Sequence, residues 1–184
     1  MNLVKPIKCK NQLQEIKQAL SIGVHGKRDL FMFELGINTG MRISDILCLR
    51  VRDVRGVTHI KVKEKKTRKS NEFAVNAYLS DVINNYTNGM DSDELLFKSR
   101  KGDKAITRVQ AHHILKKASE YCGLKIEIGC HSLRKSFGYH FYHSVNGDIV
   151  KLMKIFNHSS QEVTLRYIGI EREDIDDSLK DFAL

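Results

Sequence analysis

The stretch HSLRKSFGYHFYHSVNGDIVKLMKIFNHSSQEVTLRY, residues 131–167, contains most of the side chains on which the chemistry of this chain depends. Three of its side chains, His131, Arg134 and His158, are suited to binding a phosphate, and Tyr167 is a candidate nucleophile. If a helix begins near Ser132, His131 and Arg134 lie on one face of its first turn. Free backbone N–H groups and the helix dipole favour an anion there. The stretch therefore predicts a phosphate-binding site.

Hydrophobic periodicity and capping signals predict that most of the chain is helical. We expect helices at residues 12–21, 29–38, 43–49, 79–88, 107–121, 132–144 and 148–156, and one that carries Tyr167. Capping boxes are predicted at Asn11 with Gln14, Thr107 with Gln110, and Ser159 with Glu162. The helix at 29–38 is almost continuously apolar, so it is the predicted core helix, and Gly40 is placed to end it.

Strands are predicted in only one part of the chain. A hairpin is predicted by the β-branched residues Val51, Val54, Val57, Ile60 and Val62, and a third strand by residues 72–76. The loop at 63–71 holds five basic residues and exposes Lys65, Lys66 and Lys69. The predicted class is therefore α+β, mainly helical with a small three-stranded antiparallel sheet.

The length and composition of the chain exclude several classes of protein. With 184 residues it can bury one core and is too short for two full domains. No stretch approaches the roughly 18 apolar residues of a membrane span, and the first residues lack the apolar core of a signal peptide. The four cysteines are too irregularly spaced for a zinc motif. We therefore expect a cytoplasmic protein with no membrane partner.

The charge of the chain is unevenly distributed. Residues 171–184 contain six acidic and two basic side chains, a net charge of −4. Since the whole chain has a net charge of +9, the first 170 residues carry a net charge of +13. A basic body predicts a polyanionic partner such as nucleic acid, and the acidic tail fits docking on basic protein. A basic protein without such a partner remains the alternative on charge alone.

Three separated segments resemble the active-site boxes of the tyrosine recombinases, the phage integrase family. They are TGMRISDIL at 39–47, HSLRKSF at 131–137, and NHSS at 157–160 followed by Tyr167. The resemblance covers roughly residues 10–170. It implies that a tyrosine attacks a phosphodiester of double-stranded DNA, forms a 3′-phosphotyrosyl link and expels a 5′-hydroxyl. It also implies that the reaction needs no metal, nucleotide or other cofactor.

The resemblance assigns the phosphate contacts to two arginines. Attack on a phosphodiester builds negative charge on the non-bridging oxygens, so a site without a metal must supply fixed positive charge there. Arg42 and Arg134 match the family's positions, and a guanidinium can donate to two oxygens at once where lysine cannot. Asp45 matches the acidic position of the first box and is expected to orient Arg42 through an i,i+3 contact.

Tyr167 is the nucleophile by its position in the family pattern. A phenol is barely ionised at pH 7, so it needs a proton acceptor, and the resemblance implies that His131 is the general base. His158 corresponds to the second histidine of the pattern and is expected to hydrogen-bond the phosphate or support the tyrosine. On one straight helix His158 and Tyr167 would lie about 13 Å apart, so this segment must fold back or move.

The family's general acid is a lysine in the loop between the second and third strands, which protonates the departing 5′-oxygen. It aligns best with Lys66, with Lys65 and Lys69 as competitors. Lys65, Arg68, Lys69 and Lys135 are the predicted DNA contacts. Asn157 stands where the family usually has glycine, which suits a backbone position with positive φ because asparagine tolerates it.

The predicted organisation is a catalytic domain at 1–170 followed by an acidic tail helix at 171–184, with no N-terminal core-binding domain. The resemblance implies a homotetramer on DNA that is assembled through this tail, a nucleoid-associated location, and a possible role for accessory DNA-bending proteins. Two alternatives remain open. A type IB topoisomerase would use the same chemistry to relax DNA, and a non-catalytic DNA-binding relative would compete for recombination sites.

Overall fold

The computed structural model describes residues 4–63, 70–100, 102–144, 147–170 and 180. Its helices, in chain order, are α1 (Lys10–Ser21), α2 (Gly26–Thr39), α3 (Ile43–Ile46), α4 (Val51–Val54), α5 (Ala77–Thr87), α6 (Arg108–Tyr121), α7 (Cys130–Ser144), α8 (Ile149–Phe156) and α9 (Gln161–Ile168), and its strands are β1 (His59–Lys63) and β2 (Ser70–Ala74). The predicted α+β class, mainly helical with a small antiparallel sheet, is confirmed. No helix in these ranges is long and apolar enough to cross a membrane.

Helix α2 forms the centre of the main core, as its apolar sequence predicts. Phe31, Met32, Phe33 and Leu35 are buried, and the helix packs against α1, α5 and α7. It ends at Gly40, whose left-handed backbone (φ 67°) allows its N–H to bond the carbonyl of Gly36. The core helix therefore ends three residues before Arg42.

The sheet has two strands in the described part of the chain, not the predicted three. Strands β1 and β2 pair antiparallel, and Ile60 lies opposite Phe73, with both side chains buried in the core. The predicted hairpin between positions 51 and 62 is wrong because its first half is helical. The loop at 64–69 lies outside the described residues.

The first half of that predicted hairpin forms the helical turn α4. Val51 and Val54, three residues apart, are both buried, which is the spacing of one helical face. The Asp53 carboxylate accepts a hydrogen bond of 2.8 Å from the N–H of Arg50 and caps the turn. Local capping therefore outweighs the strand preference of the two valines.

Helix starts agree with the capping signals at one of the three predicted boxes. Thr107 and Gln110 form the predicted capping box of α6, with reciprocal bonds of 2.8 and 3.2 Å. Helix α1 begins after Cys9 with no side-chain cap, so the box predicted at Asn11 is wrong. Helix α9 is capped by Ser160 rather than Ser159, because it is the Ser160 hydroxyl that accepts from the N–H of Val163.

Helix α7 joins the main core to a second cluster formed with α8 and α9. An added Cβ at Gly36 would lie 2.6 Å from Leu133 of α7, so glycine lets α2 and α7 approach closely. On α7 itself, a Cβ at Gly138 would lie 2.6 Å from Ile168 and 2.8 Å from Phe156. Gly36 therefore lets α2 approach α7, and Gly138 lets α8 and α9 approach α7.

Candidate active site

Arg134 lies at the meeting point of three helices. Its side chain on α7 is buried, with 2% exposure. It donates from Nη1 to the carbonyl of Gly40 at the end of α2, and from Nη2 to the carbonyl of Phe156 at the end of α8, at 3.0 Å. Helix C-termini carry partial negative charge, which stabilises a buried guanidinium. Its Cζ also lies 4.3 Å from the ring centroid of Phe156.

Arg42 reaches the same region from the front half of the chain. It follows the end of α2 and is the N-terminal cap residue of α3, with a partly exposed side chain. Its charge acts on the pKa values of both His158 and Tyr167. Asp45, three residues further on α3, is buried with 6% exposure. Arg134 bonds the carbonyl of Gly40, two residues before Arg42, and both arginines act on the pKa of Tyr167, so the two side chains lie in the same region of the structure.

His158 lies in the turn between α8 and α9. Because of this turn, His158 and Tyr167 are not separated along one straight helix. Asn157 ends α8 with a left-handed backbone (φ 54°), the conformation expected of a residue that replaces glycine. The chain then reverses, and α9 brings Tyr167 back beside His158, with ring centroids 5.2 Å apart and nearly perpendicular planes. The segment folds back, which is one of the two predicted solutions.

The hydrogen bonds around His158 indicate its tautomer. The hydroxyl of Thr164 donates to the carbonyl of Ser160 at 2.9 Å, so its oxygen is left to accept from Nδ1 of His158 at 3.1 Å. Burial lowers the pKa of His158, and the charges of Arg134 and Arg42 lower it further. The neutral ring with its proton on Nδ1 is therefore favoured.

Tyr167 is enclosed by aromatic rings and cations. The ring of Phe156 lies 5.5 Å away in an edge-on arrangement. Burial raises the pKa of the Tyr167 phenol, while the charges of Arg134 and Arg42 and a hydrogen bond with Arg134 oppose that rise. The hydroxyl is therefore protonated at neutral pH, and it needs a proton acceptor before it can attack.

Other predicted residues are His131 and four side chains of the basic loop. His131 is exposed on the first turn of α7, one turn before Arg134. Four predicted residues in the basic loop fall outside the described residues, namely Lys65, Lys66, Arg68 and Lys69. The residues that the structure describes contain no cluster of three or more histidine, cysteine or acidic side chains that could hold a metal ion.

The structure does not support Lys135 as a DNA contact. Its side chain is buried, with 6% exposure, and Nζ donates to the carbonyl of Val4 at 2.9 Å. The same Nζ lies 5.4 Å from the ring centroid of Tyr167. The sequence predicts an exposed DNA contact here, although the small residues Ser136 and Gly138 that follow this lysine are typical of a helix packed on several sides.

Comparisons with known proteins agree with this geometry. Residues 9–173 match the model of the phage integrase family. The probable integrase/recombinase YoeC of Bacillus subtilis (strain 168) is 46% identical over 173 residues, covering 94% of this chain and 93% of that protein. The chain therefore belongs to the phage integrase family.

Solved structures with the same fold include two recombinases. XerA recombinase superposes with a TM-score of 0.77 at 17% identity, over 97% of this chain and 64% of that one. XerH site-specific recombinase, in a post-cleavage complex with difH DNA, superposes with a TM-score of 0.74 at 19% identity, over 98% and 54%. At sequence identities of 17% and 19%, these superpositions show that the fold is shared and nothing more. The chain spans less than two thirds of either structure.

Proposed function

We propose that this chain is a site-specific DNA recombinase that cleaves and rejoins double-stranded DNA through a 3′-phosphotyrosyl intermediate, without metal or nucleotide. The observation that carries the proposal is the position of Tyr167 against His158 and within hydrogen-bonding reach of Arg134. Those are a nucleophile and a cation of the type that attack on a phosphate requires. Residues 1–170 form the proposed catalytic domain.

In the proposed reaction the Tyr167 oxygen attacks the phosphorus and the bond to the 5′-oxygen breaks. Arg42 and Arg134 neutralise the charge that grows on the non-bridging oxygens. The phenol proton passes to His131, and a proton from Lys66 goes to the departing 5′-oxygen. A 5′-hydroxyl from another strand then reverses these steps, releasing the tyrosine and joining the strands. Asp45 orients Arg42.

Of the two roles expected for His158, its neutral tautomer favours support of Tyr167 over a hydrogen bond to the phosphate. With Nδ1 donating to Thr164, the ring is fixed in place and packs edge-on against Tyr167. A neutral His158 also adds no charge that would compete with the two arginines for the phosphate. We therefore expect its removal to disturb the position of the tyrosine more than the binding of DNA.

Covalent capture tests the proposed function and recovers the DNA site in the same experiment. Protein is incubated with fragmented DNA, denatured and washed, and the fragments that remain attached are sequenced. Wild-type protein should retain specific fragments that Tyr167→Phe does not retain. A duplex with a 5′-bridging phosphorothiolate at the recovered site should then accumulate the covalent complex, because the sulfur leaving group does not rejoin. Equal retention by both proteins would contradict the proposal.

Two outcomes would identify the alternatives. Relaxation of supercoiled DNA without joining of two sites would identify a type IB topoisomerase. DNA binding without any covalent complex would identify a non-catalytic relative. The intact Tyr167 and its contact with Arg134 favour the recombinase over the second alternative. Joining of two sites, measured with plasmids that carry the captured sequence in both orientations, separates the recombinase from the first.

The acidic tail at 171–184 is the proposed contact between protomers in a tetramer on DNA. A pocket of about 640 Å³ lies between α1, the start of α2 and α6, and its lining is largely apolar with basic side chains that include Arg100 and Lys117. The tail has net charge −4 and apolar residues at helical spacing, which complement such a pocket. Accessory DNA-bending proteins and a nucleoid location are part of the same proposal.

Charge reversal in the pocket tests this contact. The double variant Arg100→Glu with Lys117→Glu should weaken assembly on a DNA with two sites and leave binding to a single site unchanged. Lys116→Glu, an exposed neighbour outside the pocket, is the matched control. Native gel shifts at fixed ionic strength measure both quantities, since DNA binding falls steeply with salt. Unchanged two-site assembly in the double variant would rule out this pocket.

A further inference from the structure

Lys135 is a buried cation beside the proposed nucleophile. It lies on α7 immediately after Arg134, and its side chain is 6% exposed. Nζ donates a hydrogen bond to the carbonyl of Val4 at 2.9 Å and lies 5.4 Å from the ring centroid of Tyr167. A buried ammonium is unfavourable unless its surroundings replace the lost water. Among the residues that the structure describes, the Val4 carbonyl and the Tyr167 ring are placed to do so.

We propose that Lys135 is a positioning residue for Tyr167, and that it links the N-terminal segment at 4–9 to the active site. Its ammonium holds the tyrosine ring by a cation–π contact, and the Val4 carbonyl holds the ammonium. Lys135 transfers no proton in this proposal. The kinetic part rests on the proposed function.

The N-terminal segment is built to keep these contacts in place. Ile7 is fully buried, and its N–H donates to the hydroxyl of Ser136 on α7 at 2.7 Å. The carbonyl of Ile7 lies 3.0 Å from Nε2 of His140, one turn further along the same helix. The segment therefore lies along α7, which fixes the position of the Val4 carbonyl that Lys135 needs.

The same segment touches the chain just after the tyrosine. Gly169, two residues beyond Tyr167, ends α9 with a left-handed backbone (φ 75°). A Cβ added at Gly169 would lie 2.9 Å from Cγ of Pro6, so the Pro6 ring packs against Gly169 and leaves no room there for a side chain. Residues 4–9 are therefore in contact with both the helix that carries Lys135 and the helix that carries the nucleophile.

A contact with DNA phosphate and a positioning role predict different kinetic effects. Loss of a phosphate contact weakens DNA binding and leaves the cleavage step unchanged, whereas loss of positioning slows cleavage of bound DNA. Lys135→Met removes the charge with similar length, and Lys135→Arg keeps the charge. The exposed Lys116 of α6, which pairs with Glu120, provides the control Lys116→Met.

The kinetic experiment measures single-turnover formation of the covalent complex at saturating DNA. We expect Lys135→Met to lower the rate constant on the order of 10-fold, as loss of a desolvated cation–π contact implies. The dissociation constant for DNA should not change, and Lys135→Arg should recover most of the rate. Weaker binding with an unchanged rate constant would overturn the proposal, as would no change in either quantity.

Hydrogen–deuterium exchange tests the positioning without DNA cleavage. In Lys135→Met the amides of α9 should exchange faster than in the wild type or Lys116→Met, while those of α5 should not change. Faster exchange throughout the chain, together with equal loss of rate in Lys135→Arg, would indicate general packing and overturn the proposal. If wild-type protein forms no covalent complex, the proposed function fails, and unchanged exchange in α9 would independently reject the role of Lys135.

Discussion

The Nη2 atom of Arg134 donates a hydrogen bond of 3.0 Å to the backbone carbonyl of Phe156, the last residue of α8. The Nη1 atom of the same guanidinium donates to the carbonyl of Gly40 at the end of α2. One cation therefore joins two helix C-termini whose sequences are more than a hundred residues apart. Since Arg42 follows the first terminus and His158 the second, this pair of bonds also sets the spacing of the site.

Arg134→Lys should damage both stability and cleavage. A lysine cannot reach two carbonyls with the geometry of a guanidinium, so at least one charged hydrogen bond is lost, about 2 kcal/mol of unfolding free energy. We expect covalent complex formation to fall on the order of 100-fold or more, because phosphate contacts are lost as well. Urea unfolding measures the first effect and single-turnover trapping the second.

Arg52→Lys is the matched control for that substitution. Arg52 pairs with Asp93 on the surface and its side chain is mostly exposed, so the same chemical change should have little effect on stability. Equal stability of Arg134→Lys and wild-type protein would mean that the two carbonyl bonds do not hold the helix ends together.

Gly138→Ala should separate α7 from the tyrosine helix. The new Cβ would lie 2.6 Å from Cγ2 of Ile168, and 2.8 Å from the ring of Phe156. Overpacking of this kind costs about 1–3 kcal/mol of unfolding free energy. Because Ile168 follows Tyr167 directly, the displacement should also slow cleavage. Gln18→Ala, at an exposed position of α1, controls for alanine in a helix, and its unfolding midpoint should stay near that of the wild type.

The sequence names candidate site residues but not the contacts that hold them. The resemblance to the family assigns Arg42, Arg134, His158 and Tyr167 to the site, and the structure places these four residues in one region. The Val4 carbonyl beside Lys135 lies 131 residues away in sequence, and nothing local predicts that pairing. A lysine in a helix is solvated unless the rest of the fold covers it.

The error in the sheet has a local cause. Val51 and Val54 fit either a strand or one face of a helix. In so short a segment, two apolar residues three apart do not distinguish a strand from a helix. The capping bond from Arg50 to the Asp53 carboxylate decides for the helix. The core helix α2 is predicted correctly because ten almost continuously apolar residues, ended by Gly40, leave fewer alternatives.

Stability should fall as the pH is lowered below neutral. Burial lowers the pKa values of His158 and His140 in the folded protein below the ordinary value of 6.5. The unfolded chain therefore binds more protons than the folded chain around and below that pH, so the free energy of unfolding decreases as pH falls through the folded pKa values. Urea unfolding at pH 7.5 and 5.5 measures the difference.

Glutamine substitutions test whether His158 and His140 cause this pH dependence of stability. His158→Gln and His140→Gln should each reduce the loss of stability between the two pH values, since each removes one group whose pKa is lowered by folding. His59→Gln, at an exposed position on β1, should leave the loss unchanged. A loss of stability that is the same in all three variants would assign the pH dependence to other groups.

Asn157 should tolerate glycine but not a β-branched residue. It adopts φ 54° at the end of α8, and the N–H of the next residue, His158, bonds the carbonyl of Met153 at 3.0 Å. The left-handed backbone costs valine roughly 1–2 kcal/mol, whereas glycine adopts it freely. Asn157→Val should therefore lower the urea midpoint and slow cleavage, because the turn that brings His158 against Tyr167 depends on this conformation.

Asn88→Val separates the backbone effect from a simple change of residue type. Asn88 also follows a helix, α5, but its φ is −58°, which valine adopts without strain. Asn157→Val should be less stable than Asn88→Val by the cost of the left-handed backbone, and Asn157→Gly should stay near the wild type in both stability and cleavage. Equal midpoints for the two valine variants would show that α8 can end in another way, and the fixed turn would then not be what places His158 beside Tyr167.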